Sequence, residues 1–211
     1  MPAPRRSRST TMIASWDALL ALAVFAMVTS ITPGPSNLML LASGANFGFV
    51  PTIPQVLGIT LGFTSLLLGV GLGLGALLSA FPSLHLGLKI AGAAYLLYLA
   101  WRIATSGATG ADGKIGGRPL TFGESAAFQW INPKAWVVAL ATMAVYTNPD
   151  APLLSILLIC IVFAVVNLPT VSVWAAFGVA LRGFLADPVR SRRFNLTMAA
   201  LLAATLWPMI A

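Results

Sequence analysis

The chain has 211 residues, of which 58% are hydrophobic and 8% charged, about a third of the charge usual in a soluble globular domain. So little charge excludes a water-covered surface, and so much apolar content excludes disorder. The net charge of +7 and the pI of about 10.6 raise nucleic-acid binding, but the basic residues lie in short gaps between apolar runs. That is how a membrane protein distributes its positive loops, and no nucleic-acid partner is expected.

About 20 mostly apolar residues make a membrane-crossing helix, and six stretches approach that. The first runs from about Ile13 to Phe49 and is broken at Thr32-Pro33-Gly34-Pro35. The second runs from about Ile53 to Phe81 and the third from about Leu84 to Ala104. A Gly-rich loop with Asp112, Lys114 and Arg118 follows. The fourth, about Phe122 to Tyr146, is broken at Asn132-Pro133-Lys134; the fifth covers about Leu153 to Leu181. A basic loop with Arg182, Arg190, Arg192 and Arg193 leads to a short sixth, about Leu196 to Ile210. Residues 1–11 read as a tail, with Met12 an alternative start; the basic beginning (Arg5, Arg6, Arg8) resembles a signal peptide but lacks a convincing cleavage site.

The predicted fold is therefore all-α, a polytopic membrane bundle of about six segments forming one transporter domain. Pro33 and Pro133 interrupt the first helix of each group of three. Three is odd, so the two groups, 12–105 and 121–211 around the loop 106–120, must run in opposite senses. Inverted repeats with broken first helices are a hallmark of secondary transporters. Lys114, Arg118 and the arginines 182–193 then share one side, which the positive-inside rule makes cytoplasmic. The arginines at 5, 6 and 8 oppose that orientation unless Met12 is the start or one segment does not cross.

Proline inside a helix removes a backbone hydrogen bond, and in hydrocarbon such breaks survive where protein or a cavity covers them. In Thr32-Pro33-Gly34-Pro35-Ser36-Asn37 the helix restarts at Pro35, and its first-turn N–H groups and the Ser36 and Asn37 side chains form a ready carboxylate site. The simpler alternative is a packed kink. Asn132 and Pro133 mark the partner break, and Lys134 is the deepest cation, either snorkelling or facing a central cavity. Asn167, beside Pro169, either bonds freed backbone or adds a polar group to the pathway. Glu124, in the first turn of the fourth segment, either suits the helix dipole or carries a proton. Gly58, Gly62, Gly69, Gly71, Gly73 and Gly75 repeat at four-residue spacings and read as close helix packing.

One Cys and one His (Cys160, His85) cannot make a disulfide or an ordinary zinc site, so no metal or other cofactor is expected. Ser36 with His85 does not make a believable hydrolase pair, and no enzyme is expected.

Three motifs resemble those of the lysine exporter (LysE/RhtB) family, closer to its homoserine/threonine-type members: Thr32-Pro33-Gly34-Pro35-Ser36-Asn37-Leu38, the run Lys89-x-x-Gly92-x-x-Tyr95-Leu96-x-Tyr98-Leu99-x-Trp101, and Asn132-Pro133-Lys134-Ala135. The resemblance spans the chain from Met12 onward. It implies a multi-pass exporter of amino acids in the bacterial inner membrane, in contact with lipid and proton-driven, with a homodimer as one option. The substrate-site residues it points to are Pro33, Gly34, Pro35, Asn37, Asn132, Pro133 and Lys134. Exporters of basic amino acids in the family carry an acid shortly after the first motif, and Leu38 to Phe49 has none. A neutral or hydroxy amino acid such as threonine or homoserine is therefore expected. The competing class is a non-transporting membrane subunit or scaffold.

Overall fold

The computed structural model describes residues 16–80, 82–105 and 118–207. Arg5, Arg6, Arg8, Met12, Asp112 and Lys114 lie outside them, as does the His85 side chain. Nine helices follow in order among the described residues: α1 (Trp16–Ile31), α2 (Pro35–Phe47), α3 (Phe49–Gly69), α4 (Gly75–Ala80), α5 (Pro82–Ala104), α6 (Phe122–Ile131), α7 (Pro133–Tyr146), α8 (Pro152–Ala180) and α9 (Pro188–Ala204). A π-helical turn, Val70–Leu74, joins α3 to α4, with Gly73 at φ 106° where a side chain would be strained.

Both expected breaks are present. α1 and α2 meet at a 60° bend. α6 stops at Asn132, whose φ −82°, ψ 113° is extended, and α7 restarts with Pro133. Pro133 cannot supply the N–H that a continuing helix needs, whereas at the first helical position that N–H is not required. Pro169 by contrast lies inside an uninterrupted α8.

By length and hydropathy, Phe49–Leu74, Leu86–Ala104 and Pro152–Ala180 can cross a membrane, and the bent α1–α2 pair is either a fourth, broken span or a re-entrant loop. The expected six is not reached on that measure. The α6–α7 break divides its segment into helices of 10 and 14 residues. α9 begins earlier than the sequence suggested, at Pro188, because Asp187 caps it: its carboxylate accepts the Arg190 N–H at 2.9 Å. Arg190, Arg192 and Arg193 are thereby helical, and the expected basic loop shrinks to residues 181–187, which keep Arg182.

Glycine sets the packing. A Cβ on Gly44 of α2 would collide with the Ala175 carbonyl of α8, and one on Gly178 of α8 with the Leu41 carbonyl of α2. Gly58 and Gly62 bring α3 equally close to Phe122 and Ala126 of α6. These are backbone-to-backbone contacts, the ones small residues permit in membrane bundles. Phe63, Leu66, Phe163 and Ala139 fill the main core, while Leu20, Val28, Val50, Val165 and Val173 face outward, as a lipid-exposed surface requires.

Candidate functional site

Breaking α1 frees carbonyls at its end, and those of Ser30, Ile31 and Thr32 are taken up by side chains. Asn37 Nδ2 donates to the Ser30 carbonyl at 2.7 Å and to the Thr32 carbonyl at 2.9 Å. Trp174 Nε1 donates to the Ile31 carbonyl at 3.2 Å. Lys134 Nζ reaches from the second break to the Thr32 carbonyl at 2.6 Å. Unpaired carbonyls in a dry interior cost several kcal/mol each, about 2–7; here the second break, through Lys134, helps cover the backbone exposed by the first.

The second break contributes its own polar groups. Asn132 Oδ1 accepts the Lys134 N–H at 3.1 Å and so caps α7. Its Nδ2 turns the other way, to Ser36 Oγ at 3.2 Å. Gln129 Nε2 donates to the same hydroxyl at 3.1 Å. Ser36, in the first turn of α2, is thus joined to the end of α6 and the cap of α7.

Two helix starts, α2 at Pro35 and α7 at Pro133, therefore meet at one small hollow of about 50 Å³, lined by Gly34, Ser36, Asn37, Asn132, Lys134 and Asn167 among others. A volume of this size holds a few waters. Helix N-termini carry partial positive charge, and Lys134 adds a full one; among the described residues no Asp or Glu lines the hollow. Such a lining suits an anion such as a carboxylate. Ile59, Phe63, Val138 and Val171 supply the apolar wall.

Pro33, Gly34 and Pro35 form the turn into α2, and Gly34 lies under the Lys134 stem: a Cβ there would stand 2.8 Å from Lys134 Cδ. Gly34 is extended (φ −174°), so it is space, and not backbone strain, that calls for glycine. Asn167 does not bond freed backbone of its own helix. It accepts from Thr60 Oγ1 at 3.0 Å and donates to Ser30 Oγ at 2.9 Å, tying α3, α8 and α1 together. Glu124 stands apart from the hollow. It completes a capping box with Thr121 and holds Arg118 through two bonds of 2.7 and 2.8 Å. Ser36 is engaged by the side-chain amides of Gln129 and Asn132.

Four contributors escaped the sequence reading: Gln129, Ser30, Thr60 and Trp174. Gln129 carried a usable signal, as a buried amide in an apolar segment one turn before Asn132. Ser30 and Thr60 carried none, because hydroxyls in membrane helices commonly bond their own backbone.

The LysE-type translocator family model matches residues 27–207. The cysteine/O-acetylserine efflux protein of Escherichia coli strain K12 is 30% identical over 188 residues, covering 87% of this chain and 93% of that protein. The protein of that name from Salmonella typhi is 34% identical over 140 residues, covering 65% and 69%. No solved structure matches the chain. With the match reaching across both helix breaks, the chain belongs to the LysE-type translocator family, whose members are membrane transporters and not enzymes.

Proposed function

We propose that the chain is a secondary active exporter of small neutral amino acids, moving them out of the bacterial cytoplasm across the inner membrane. The observation that carries this is the convergence of two helix starts and Lys134 on one hollow free of carboxylates. The substrate carboxylate would lie between the α2 and α7 starts, drawing the Lys134 ammonium from the Thr32 carbonyl. That exchange of one partner for another couples binding to the contact between the two breaks.

Selectivity follows from what is missing around the hollow. A lysine or arginine side chain would bring a second positive charge, with no acid in Leu38 to Phe49 to receive it. The names of the relatives favour cysteine and O-acetylserine; threonine and homoserine share their charge and similar size. The hollow is too small for any of them as it stands, so the substrate enters when the bundle opens.

Opening is assigned to rocking of two inverted halves, α1–α5 against α6–α9. In support, helices that such a symmetry exchanges lie in contact, α3 with α8 and α5 with α9. Arg102, Arg118, Arg182 and the α9 arginines gather where α5 and α8 end and α6 and α9 begin, and the positive-inside rule makes that end cytoplasmic. Six crossings, a homodimer and Glu124 as the proton carrier complete the picture. The test is export from cells overproducing the chain. Cysteine or O-acetylserine should accumulate in the medium several-fold above control cells; no rise for any neutral amino acid, together with a stable co-purifying protein, would favour a scaffold instead.

A further inference from the structure

An α-amino acid carries an ammonium beside its carboxylate, and each needs partners of its own. The break between α1 and α2 presents both kinds. α1 ends there on carbonyls with partial negative charge, and α2 starts there on N–H groups with partial positive charge. Asn37 bridges the two ends. Both protons of its Nδ2 are engaged, by the Ser30 carbonyl at 2.7 Å and the Thr32 carbonyl at 2.9 Å. Two carbonyl acceptors fix which end of the amide is nitrogen, so the other end is the oxygen. That oxygen, Oδ1, accepts from no donor among the described residues. Asn37 is 4% exposed and lines the hollow, yet Oδ1 is not among the partnerless side-chain atoms closed off from solvent. It is an acceptor left open at the hollow.

The Thr32 carbonyl is a second acceptor, and it already holds an ammonium. Lys134 Nζ donates to it at 2.6 Å, beside Asn37 Nδ2. A carboxylate that draws Lys134 away leaves this carbonyl short of a charged donor, unless the arriving molecule brings one. Ser36 serves the other pole. Its Oγ accepts from Gln129 Nε2 at 3.1 Å and from Asn132 Nδ2 at 3.2 Å, which takes up both lone pairs. Its own proton is left to donate, and Gln129 Oε1, at 3.4 Å, is distant for an O–H···O bond. The Ser36 hydroxyl and Lys134 suit a carboxylate; Asn37 Oδ1 and the Thr32 carbonyl suit an ammonium.

We propose that the substrate's α-ammonium replaces the Lys134 ammonium at the Thr32 carbonyl and is held there by Asn37 Oδ1, while Lys134 turns to the substrate carboxylate. Exchanging one ammonium for another keeps the break in α1 satisfied during binding. It also makes a free α-amino group a condition of transport, because a carboxylate without one strips the Thr32 carbonyl of its charged partner. The inference deepens the export function and rests on it.

The test is binding of radiolabelled O-acetyl-L-serine to the purified full chain in mildly acidic buffer. The competitors are unlabelled O-acetyl-L-serine and 3-acetoxypropanoate, the same molecule without its ammonium. Flux of the labelled compound in proteoliposomes is measured alongside. Wild type should favour the amino acid over the deamino analogue about tenfold or more, the order of one hydrogen bond to a charged group. N-acetyl-L-serine, whose nitrogen is an uncharged amide, should compete as poorly as the analogue. Asn37→Ala should bring the preference close to one. Asn37→Asp keeps an acceptor oxygen but loses both donations to α1, so it should melt lower and still keep the preference. Each result is a ratio of two ligands on one protein, so a purely structural loss cancels. Equal binding of both ligands by wild type would overturn the ammonium site, and flux of the label would still uphold export. A preference that survives in Asn37→Ala, or that Asn37→Asp also loses, would do the same and leave Asn37 as a brace for the break. Absence of flux and of binding for every neutral amino acid would overturn export itself, and the ammonium site with it.

Discussion

The ammonium of Lys134 donates to the carbonyl of Thr32 at 2.6 Å, joining positions 102 apart in sequence. Each residue belongs to a different break, and the second helps satisfy the backbone freed by the first. The Lys134 stem runs over Gly34 to make this bond, so Gly34→Ala is the most economical way to disturb it. The added methyl would stand 2.8 Å from Cδ and 3.2 Å from Nζ, while the backbone tolerates it. We expect a folded protein, with a melting temperature close to wild type, whose export falls about tenfold or more, the order of losing one charge-assisted hydrogen bond. Unchanged transport would mean that Lys134 does not need its present path.

Asn132 plays two parts that substitution can separate. Asn132→Ala loses both the cap on α7 and the bond to Ser36, and should cost about 1 kcal/mol of stability from the cap alone. Asn132→Asp keeps the capping oxygen but brings an anion to the place reserved for the substrate carboxylate. Thermal unfolding should therefore distinguish the two, with Asp nearer wild type, while both should fail in transport. An active Asp variant would place the carboxylate elsewhere.

Glycines at helix crossings should behave differently from those facing open space. Gly44→Ala must push α2 from α8, because the new methyl meets the Ala175 backbone and not a flexible side chain. Overpacking of this kind costs about 1–3 kcal/mol. Gly87 of α5 has nothing within 4 Å of its added Cβ, and Gly87→Ala should gain about 0.5–1 kcal/mol from helix propensity. Melting temperatures in one detergent provide the comparison; equal shifts would count against the helix crossings as drawn.

Proton coupling assigned to Glu124 also makes a specific claim. Glu124→Gln retains the hydrogen-bonding shape at Thr121 but loses the titratable group and the ion pair with Arg118. Exchange of substrate across proteoliposomes at equal pH should persist, while acceleration by an imposed pH gradient should vanish. Acceleration equal to wild type would free Glu124 from that role and leave it as the clasp that fixes Arg118 to the start of α6.

Much of the frame was legible in the sequence because lipid imposes strong rules. Long apolar runs gave α3, α5 and α8, and the two proline motifs gave both breaks to the residue. Lys134, Ser36, Asn37 and Asn132 were legible as site candidates because polar groups deep in apolar segments need partners. What they bond to was not. Thr32 contributes a backbone carbonyl, which no side-chain pattern announces. Asn167 had two readings, a partner for backbone freed by Pro169 or a polar group on the pathway; it lines the hollow and bridges to Ser30 and Thr60 on other helices, a relation set by packing. The start of α9 was missed for a local reason: Asp187-Pro188 is a helix-opening pair, but the arginines after it dominated the reading as a loop.

The most direct test of the central claim is counterflow of radiolabelled O-acetyl-L-serine in proteoliposomes holding either wild-type chain or Lys134→Met, which keeps most of the stem and removes the charge. A carboxylate site between the two helix starts predicts counterflow with wild type and loss to the level of empty vesicles with Lys134→Met at equal protein content. Equal rates for the two would contradict it.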